Sequence, residues 1–82
     1  MKERVINLVG NKLDNLNVHI YDVVYEKEGK NNYLRVVLDS EEMIDIDKVV
    51  EATKIIDPLL EKENIIEEKY ILDVYAKSKG DD

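Results

Sequence analysis

The chain has 82 residues, 44% of them hydrophobic and 38% charged, and its formal net charge is −7. This length fits one small domain, and the absence of cysteine excludes disulfides, thiolate metal sites and thiol catalysis. The excess of 19 acidic over 12 basic residues argues against direct RNA or DNA binding, because affinity for nucleic-acid backbones comes largely from Lys and Arg.

A first helix is predicted over residues 2–16. Its apolar residues recur at spacings of three and four, which places them on one helical face. They are Val5, Ile6, Leu8, Val9, Leu13 and Leu16. Gly10 lies inside this stripe and is expected to weaken the helix by about 1 kcal/mol relative to Ala. The turn-forming residues of 14–17 then end the helix.

Two strands, over residues 18–29 and 33–40, follow and form a predicted hairpin. The segment between them contains Gly29 and two Asn, which tolerate a positive φ. In the second strand one face holds Leu34, Val36 and Leu38, and the other holds Arg35, Val37 and Asp39. In the first strand one face holds Tyr21, Val23 and Tyr25, and the other holds Val18, Ile20 and Val24. Both faces of the first strand are apolar, so periodicity alone does not choose its inner face.

A second helix is predicted within residues 41–64. Asp45 can cap its N-terminus, and Asp47 places negative charge near the positive end of the helix dipole. The predicted inner stripe contains Ile46, Val49, Val50, Thr53, Ile56, Leu59 and Leu60. Pro58 falls inside this pattern and cannot donate a backbone hydrogen bond. The helix therefore either kinks near Asp57 or restarts there as a short second helix.

A third strand over residues 69–76 completes the predicted fold. One of its faces holds Tyr70, Leu72 and Val74, and the other holds Ile71, Asp73 and Tyr75. The order α-β-β-α-β predicts an α+β fold, with two helices packed on one face of a three-stranded mixed sheet. The third strand can return parallel to a hairpin strand through a right-handed crossover. We expect residues 1–77 to form the domain and residues 78–82 to be a disordered tail.

The chain offers few residues for catalysis or metal binding. A single histidine, His19, and no cysteine cannot build a common zinc site. His19 lies on a predicted strand and Ser40 at the far end of the hairpin, so no catalytic dyad is expected. The carboxylates of Asp45 and Asp47 are better explained by their stabilising role at the start of a helix than by an acid–base pair or a calcium-binding loop. We predict no catalytic, cofactor or metal site.

The first four elements are similar in topology to bacterial-type KH domains. Those RNA-binding domains depend on a G-x-x-G loop between two helices. The nearest segment here, GNKL at 10–13, lacks the second glycine and lies in the wrong helix. This departure and the acidic charge both argue against direct RNA binding.

The hairpin, second helix and third strand together resemble the ribosome maturation factor RimP family. VHIYDVVYEKEG and YLRVVLDS are similar to the family's ELVDVEYVKEG and LRVYID. The later stretch MIDIDKVVEATKIIDPLLEKEN, with its strand KYILDV, is similar to ITLDDCEEVSRAISPLLDEEDPI and YVLEV, in the same order and with nearly the same spacing. Pro58 falls where the family often has its helix proline. The likeness spans roughly residues 18 to 75.

The resemblance implies a non-enzymatic protein that binds the immature small (30S) ribosomal subunit and helps its assembly, through contacts with a basic ribosomal protein. The net acidic charge fits such a partner, although a plain solvated acidic surface explains it more simply. On this hypothesis the contact surface is the outer sheet face and third strand, including Asp73 and Tyr75. The acidic helix start, Asp45 and Asp47, is a second candidate.

The chain also departs from the family pattern at its end. The family continues its last strand into SSPGLDRPL and a C-terminal β-barrel, whereas here Tyr75 and Ala76 replace the two serines and the Pro-Gly turn is missing. We therefore expect the family's C-terminal barrel to be absent. Three explanations of this ending remain open: the chain is an N-terminal fragment, it is a diverged short relative, or it is an N-terminal half whose other domain is a separate chain.

The competing function is a stand-alone interaction or dimerisation module, although a monomer is favoured. No apolar run approaches the ~20 residues that span a bilayer, and the N-terminus lacks a signal peptide's apolar core, so a cytoplasmic protein is expected.

Overall fold

The computed structural model describes residues 1–77, and the prediction for the tail at 78–82 lies outside this range. The elements follow the predicted order α-β-β-α-β, with one short 3₁₀ helix, Asp14–Leu16, after the first α-helix. The α-helices are α1 (Lys2–Val9) and α2 (Ile46–Glu63), and the strands are β1 (His19–Glu28), β2 (Asn31–Asp39) and β3 (Ile71–Ala76). The predicted α+β class is therefore confirmed.

The three strands form one mixed sheet in the order β1-β2-β3. The hairpin is antiparallel, with Tyr25 opposite Leu34, and β3 runs parallel to β2, with Leu34 opposite Leu72. Glu28 pairs with Asn31, so the hairpin loop has two residues. Its first residue, Gly29, has a φ of 61°, the conformation that a type II′ turn needs at this position. The predicted parallel return of the third strand is confirmed.

A β-bulge in β1 decides which side chains of that strand face the core. The pairing register shifts between Ile20 and Asp22, which inserts one residue opposite β2. As a result Ile20 and Val23 both pack against the core, while Tyr21 is exposed. The strict alternation that grouped Tyr21 with Val23 is therefore wrong at this point, because a bulge breaks the period of two.

Both helices cover the same face of the sheet, as predicted. The centre of the core joins Leu34 and Val36 of β2 to Val5 of α1 and Ile56 of α2, all with no exposed surface. The other buried residues of this core cluster are Val9, Leu13, Val18, Val23, Leu38, Ala52, Leu60 and Ile66. Burial of such side chains supplies most of the favourable free energy of folding.

The first helix is shorter than the sequence predicts, because it ends at Val9 rather than at residue 16. Gly10 follows with φ 57° and ψ −127°, and its N–H donates to the carbonyl of Ile6 at 2.8 Å. Only glycine adopts this backbone conformation at little cost. Gly10 therefore terminates the helix, and Leu13 reaches the core from the turn that follows.

The second helix is continuous from Ile46 to Glu63 and contains Pro58 without ending there, so the predicted restart at Asp57 is wrong. Its inner stripe is also narrower than predicted. Ile46 and Val50 are 77% and 44% exposed and do not belong to it. The buried positions Ala52, Ile56 and Leu60 are four residues apart, which is the spacing of a single helical face.

Candidate functional site

The sheet face opposite the helices carries no other element among residues 1–77, and we call it the open face. Register pairing places alternate residues of each strand on it. It includes Tyr21, Val24, Glu26, Glu28, Tyr33, Arg35, Val37, Ile71, Asp73 and Tyr75. This face is the candidate functional site, since the opposite face is occupied by the core.

Arg35 lies at the centre of the open face and interacts with carboxylates of both neighbouring strands. Its guanidinium pairs with Glu26 and, at 3.1 Å, with Glu28 of β1. On the other side its Nε lies 3.5 Å from Asp73 of β3. The guanidinium also lies 4.8 Å from the centre of the Tyr33 ring, a cation–π distance. One positive group therefore faces three negative groups, and this part of the surface is acidic.

Electrostatics keep Arg35 charged. Its hydrogen bond to Glu28 is the largest influence and raises the pKa of the guanidinium above its ordinary value, with Glu26 adding to the effect, although partial desolvation lowers the same pKa. The side chain is only 20% exposed, so the neighbouring strands largely cover it while its carboxylate partners remain open to solvent.

The other end of the open face is aromatic. Tyr75 of β3 is opposite Val37 of β2, and Val37 is nearly buried although it lies on this face. The bulged Tyr21 is half-exposed, and the ammonium of Lys77 lies 4.3 Å from the centre of its ring. Large amphipathic rings around a shielded aliphatic residue are the composition that anchors protein interfaces.

The four residues predicted for partner binding fall on two surfaces. Asp73 and Tyr75 lie on the open face, as the alternation of β3 predicted. Asp45 and Asp47 lie at the start of α2, in the helical layer. The Asp45 carboxylate accepts a hydrogen bond from the backbone N–H of Lys48 at 2.9 Å, so it acts as the N-cap. Asp47 is exposed in the first helical turn.

The antiparallel hairpin brings together two residues that the sequence analysis treated as distant. His19 at the start of β1 and Ser40 just after β2 line one open cleft of about 480 Å³. The Ser40 hydroxyl accepts from the backbone N–H of Glu42 at 3.1 Å, which stabilises the turn before α2. Within residues 1–77 no group of three or more His, Asp or Glu side chains is arranged to hold a metal ion.

No helix in the described range is both long enough and apolar enough to cross a bilayer. A family model described as the RimP N-terminal domain matches residues 8–77. The chain belongs to the RimP N-terminal domain family. The suspected resemblance is thereby confirmed, and it places the chain in a ribosome maturation factor family. The match begins within α1 and includes all three strands, so the whole open face lies within the RimP N-terminal domain.

Sequence reasoning found part of this site and missed its centre. The alternation of β2 grouped Arg35 with Val37 on one face, and that of β3 grouped Asp73 with Tyr75 on the face expected to be outer; the structure agrees with both groupings. The ion pairs of Arg35 were missed because they join three strands, and their formation depends on strand order and register. Glu26 and Glu28, two apart in β1 and close to the hairpin turn, were the available signal.

Proposed function

We propose that this domain binds the immature small ribosomal subunit during assembly, through protein–protein contacts between the open face and a basic ribosomal protein. The observation that carries the proposal is an uncovered sheet face, in a RimP N-terminal domain, that combines an aromatic patch with an acidic cluster. Asp73 and Tyr75 belong to the two halves of this surface and are two residues apart on one strand.

The chemistry of the face suits a cationic partner. The three negative charges of Glu26, Glu28 and Asp73 outnumber the single positive charge of Arg35. A Lys or Arg from a partner therefore meets an electrostatic potential of opposite sign. Tyr21 and Tyr75 supply apolar contact area beside these charges and lose little conformational entropy on binding. Electrostatic attraction would speed association, and the aromatic rings would supply most of the affinity.

Binding is tested by co-sedimentation of the folded chain with immature small subunits at low and at moderate salt. We expect binding at low salt that weakens as salt screens the charges. Tyr75→Ser and Asp73→Asn should each weaken it, whereas Glu63→Gln, an exposed change on α2, should not. Absence of binding at both salt concentrations would contradict the proposal for this chain.

The start of α2 is a second candidate contact, and its structural role can be separated from a binding role. Asp45→Ala removes the N-cap and should lower the free energy of unfolding by about 1 kcal/mol. Asp45→Asn keeps a capping oxygen but removes the charge, so stability should change by only a few tenths of a kcal/mol. If Asp45→Asn and Asp47→Asn leave co-sedimentation unchanged, these carboxylates serve the helix and not the partner.

A stand-alone interaction or dimerisation module is the second candidate function. It is favoured by the position of β3 at the edge of the sheet, with Ile71 and Tyr75 both nearly half-exposed. An edge strand presents unpaired backbone groups that can pair with another strand. A sedimentation mass of two chains that does not change when ribosomal particles are added would favour this function.

A further inference from the structure

A groove of about 700 Å³ separates the C-terminal half of α2 from the beginning of β3. Its apolar part is formed by Leu60 and Ile66, which are almost fully buried, and by the half-buried Leu72. Tyr70 contributes the wall next to the sheet. This groove lies on the helical side of the sheet and is therefore separate from the open face.

The rim of the groove is acidic. Asp57 and Glu61, one helical turn apart on α2, line one side, and Glu67 and Glu68 line the other. Lys69 is the basic residue in the lining. The ion pairs of residues 1–77 involve neither Asp57 nor Glu61 nor Glu67. Within the described part of the chain, these carboxylates therefore have no cation that a ligand would need to displace.

The negative charges of the rim affect the pKa of Tyr70. Its pKa is raised first by partial burial and then by the negative charges of Asp57 and Glu61. Both carboxylates thus act on the same point inside the groove. A positive group placed there would be attracted by the same two charges.

The backbone beside the groove is also available for pairing. β3 is an edge strand whose strand partner in the described chain is β2. Tyr70, just before this strand, and Leu72 within it both line the groove. An extended segment lying in the groove can therefore add to the edge of the sheet while its side chains contact the groove walls.

We propose that this groove binds a short, extended cationic segment of another protein, with an aliphatic side chain on the apolar floor and Lys or Arg side chains against the acidic rim. Charge complementarity selects this occupant. A second copy would bring an acidic surface of its own, and a nucleic acid would bring phosphates that the rim repels. The inference goes beyond the proposed function, and its test requires no ribosomal particle.

The test is fluorescence anisotropy with a labelled peptide of alternating Lys and Val, titrated with the intact chain at low salt. We expect binding of this peptide, weaker binding of an alternating Lys and Ser peptide that lacks the aliphatic side chains, and no binding of an alternating Glu and Val peptide. Asp57→Asn combined with Glu61→Gln should raise the Kd by about tenfold. The matched control, Glu51→Gln with Glu63→Gln, removes the same charge from exposed positions on α2 outside the groove and should change the Kd by less than about twofold.

A second pair of variants protects the test against misfolding. This pair is Glu67→Gln with Glu68→Gln, at two positions in the loop before β3. The glutamine at 68 can still accept the hydrogen bond that Tyr25 donates at 3.0 Å. This second pair should weaken peptide binding as the first pair does. Amide chemical-shift changes on adding the peptide should map to Asp57–Leu72 and to β3. Equal losses in the groove and control variants, shifts confined to the open face, or no binding of the Lys and Val peptide would each overturn the proposal.

Discussion

Arg35 shows how one residue can organise a surface without being buried. Its guanidinium joins β1 to β3 across β2, through Glu26, Glu28 and Asp73. Single exposed ion pairs contribute little to stability because solvent screens them and both side chains lose entropy. This arrangement differs because the side chain is largely covered and serves several carboxylates at once, so its loss leaves like charges facing each other.

We therefore expect Arg35→Met to lower the urea midpoint of unfolding at low salt, and we expect high salt to reduce the difference from the parent chain. Lys54→Met is the control, because it removes an exposed i,i+3 pair with Glu51 that contributes only a few tenths of a kcal/mol. Equal losses in the two variants, or a loss at Arg35 that salt does not change, would contradict a network role.

Tyr70 gives a pH-dependent prediction. Its pKa lies above the ordinary value of 10.0, chiefly because of burial and also because of Asp57 and Glu61. The folded chain therefore holds the phenolic proton to a higher pH than the unfolded chain. This contribution to stability is complete below pH ~10 and is lost as the pH rises through the folded-state pKa.

The titration can be followed from the NMR signals of the Tyr70 ring carbons as the pH is raised. Asp57→Asn should move the midpoint down towards the ordinary value, since it removes one of the two charges. Asp22→Asn, which lies on β1 and pairs with Lys2, should leave the midpoint unchanged. A parent midpoint at or below 10.0 would contradict the combined effect of burial and the two charges, and an unchanged midpoint in Asp57→Asn would contradict the effect of the Asp57 charge.

At the scale of elements, the end of α1 gives a prediction whose sign depends on the structure. If Gly10 lay inside a helix, Gly10→Ala would stabilise the chain by about 1 kcal/mol. Because Gly10 has a positive φ and a strongly negative ψ, alanine is strained there, and we expect a loss of about 1–3 kcal/mol in the free energy of unfolding. Urea denaturation measures it.

The control for Gly10 is Asn7→Ala, which lies in the body of α1 and is exposed. Alanine has the higher helix propensity, so this change should be neutral or slightly stabilising. A gain in stability from both substitutions would mean that α1 continues through Gly10 in solution.

The strands and α2 show where hydrophobic periodicity predicts the buried residues correctly and where it fails. The period of two in β2 divided its residues between the two faces correctly, because β2 is the regular central strand. In β1 it failed at Tyr21, since an inserted residue leaves no mark in an apolar pattern. In α2 it identified the helix but included Ile46 and Val50, because a helical stripe is buried only where another layer lies against it.

The candidate site was predictable to a similar degree. Asp73 and Tyr75 followed from alternation once β3 was recognised. Asp45 was assigned correctly as a cap, because capping is local and depends on residue type and position. The ion pairs of Arg35 and the acidic groove beside Tyr70 were not predictable, since each joins segments that only the tertiary fold brings together.

At the scale of the whole molecule, the uncovered surfaces of the sheet favour self-association, whereas the net charge opposes it. An open sheet face and an edge strand offer places for a second copy to bind. Met43 and Ile46 add apolar surface at the start of α2, with 85% and 77% of their areas exposed. Against this, a net charge of −7 on 82 residues makes two identical copies repel each other.

We expect repulsion to prevail at low salt, so that sedimentation equilibrium gives the monomer mass of 9.6 kDa. Raising the salt concentration screens this repulsion, and any weak dimer should then form through apolar contacts and become stronger with salt. Ile46→Ser and Tyr75→Ser, tested separately at high salt, would show whether α2 or the open face forms that contact. A dimer already complete at low salt would contradict the monomer prediction and favour the dimerisation module. The reason is that pairing along β3 would then supply enough free energy to overcome the net charge of both copies.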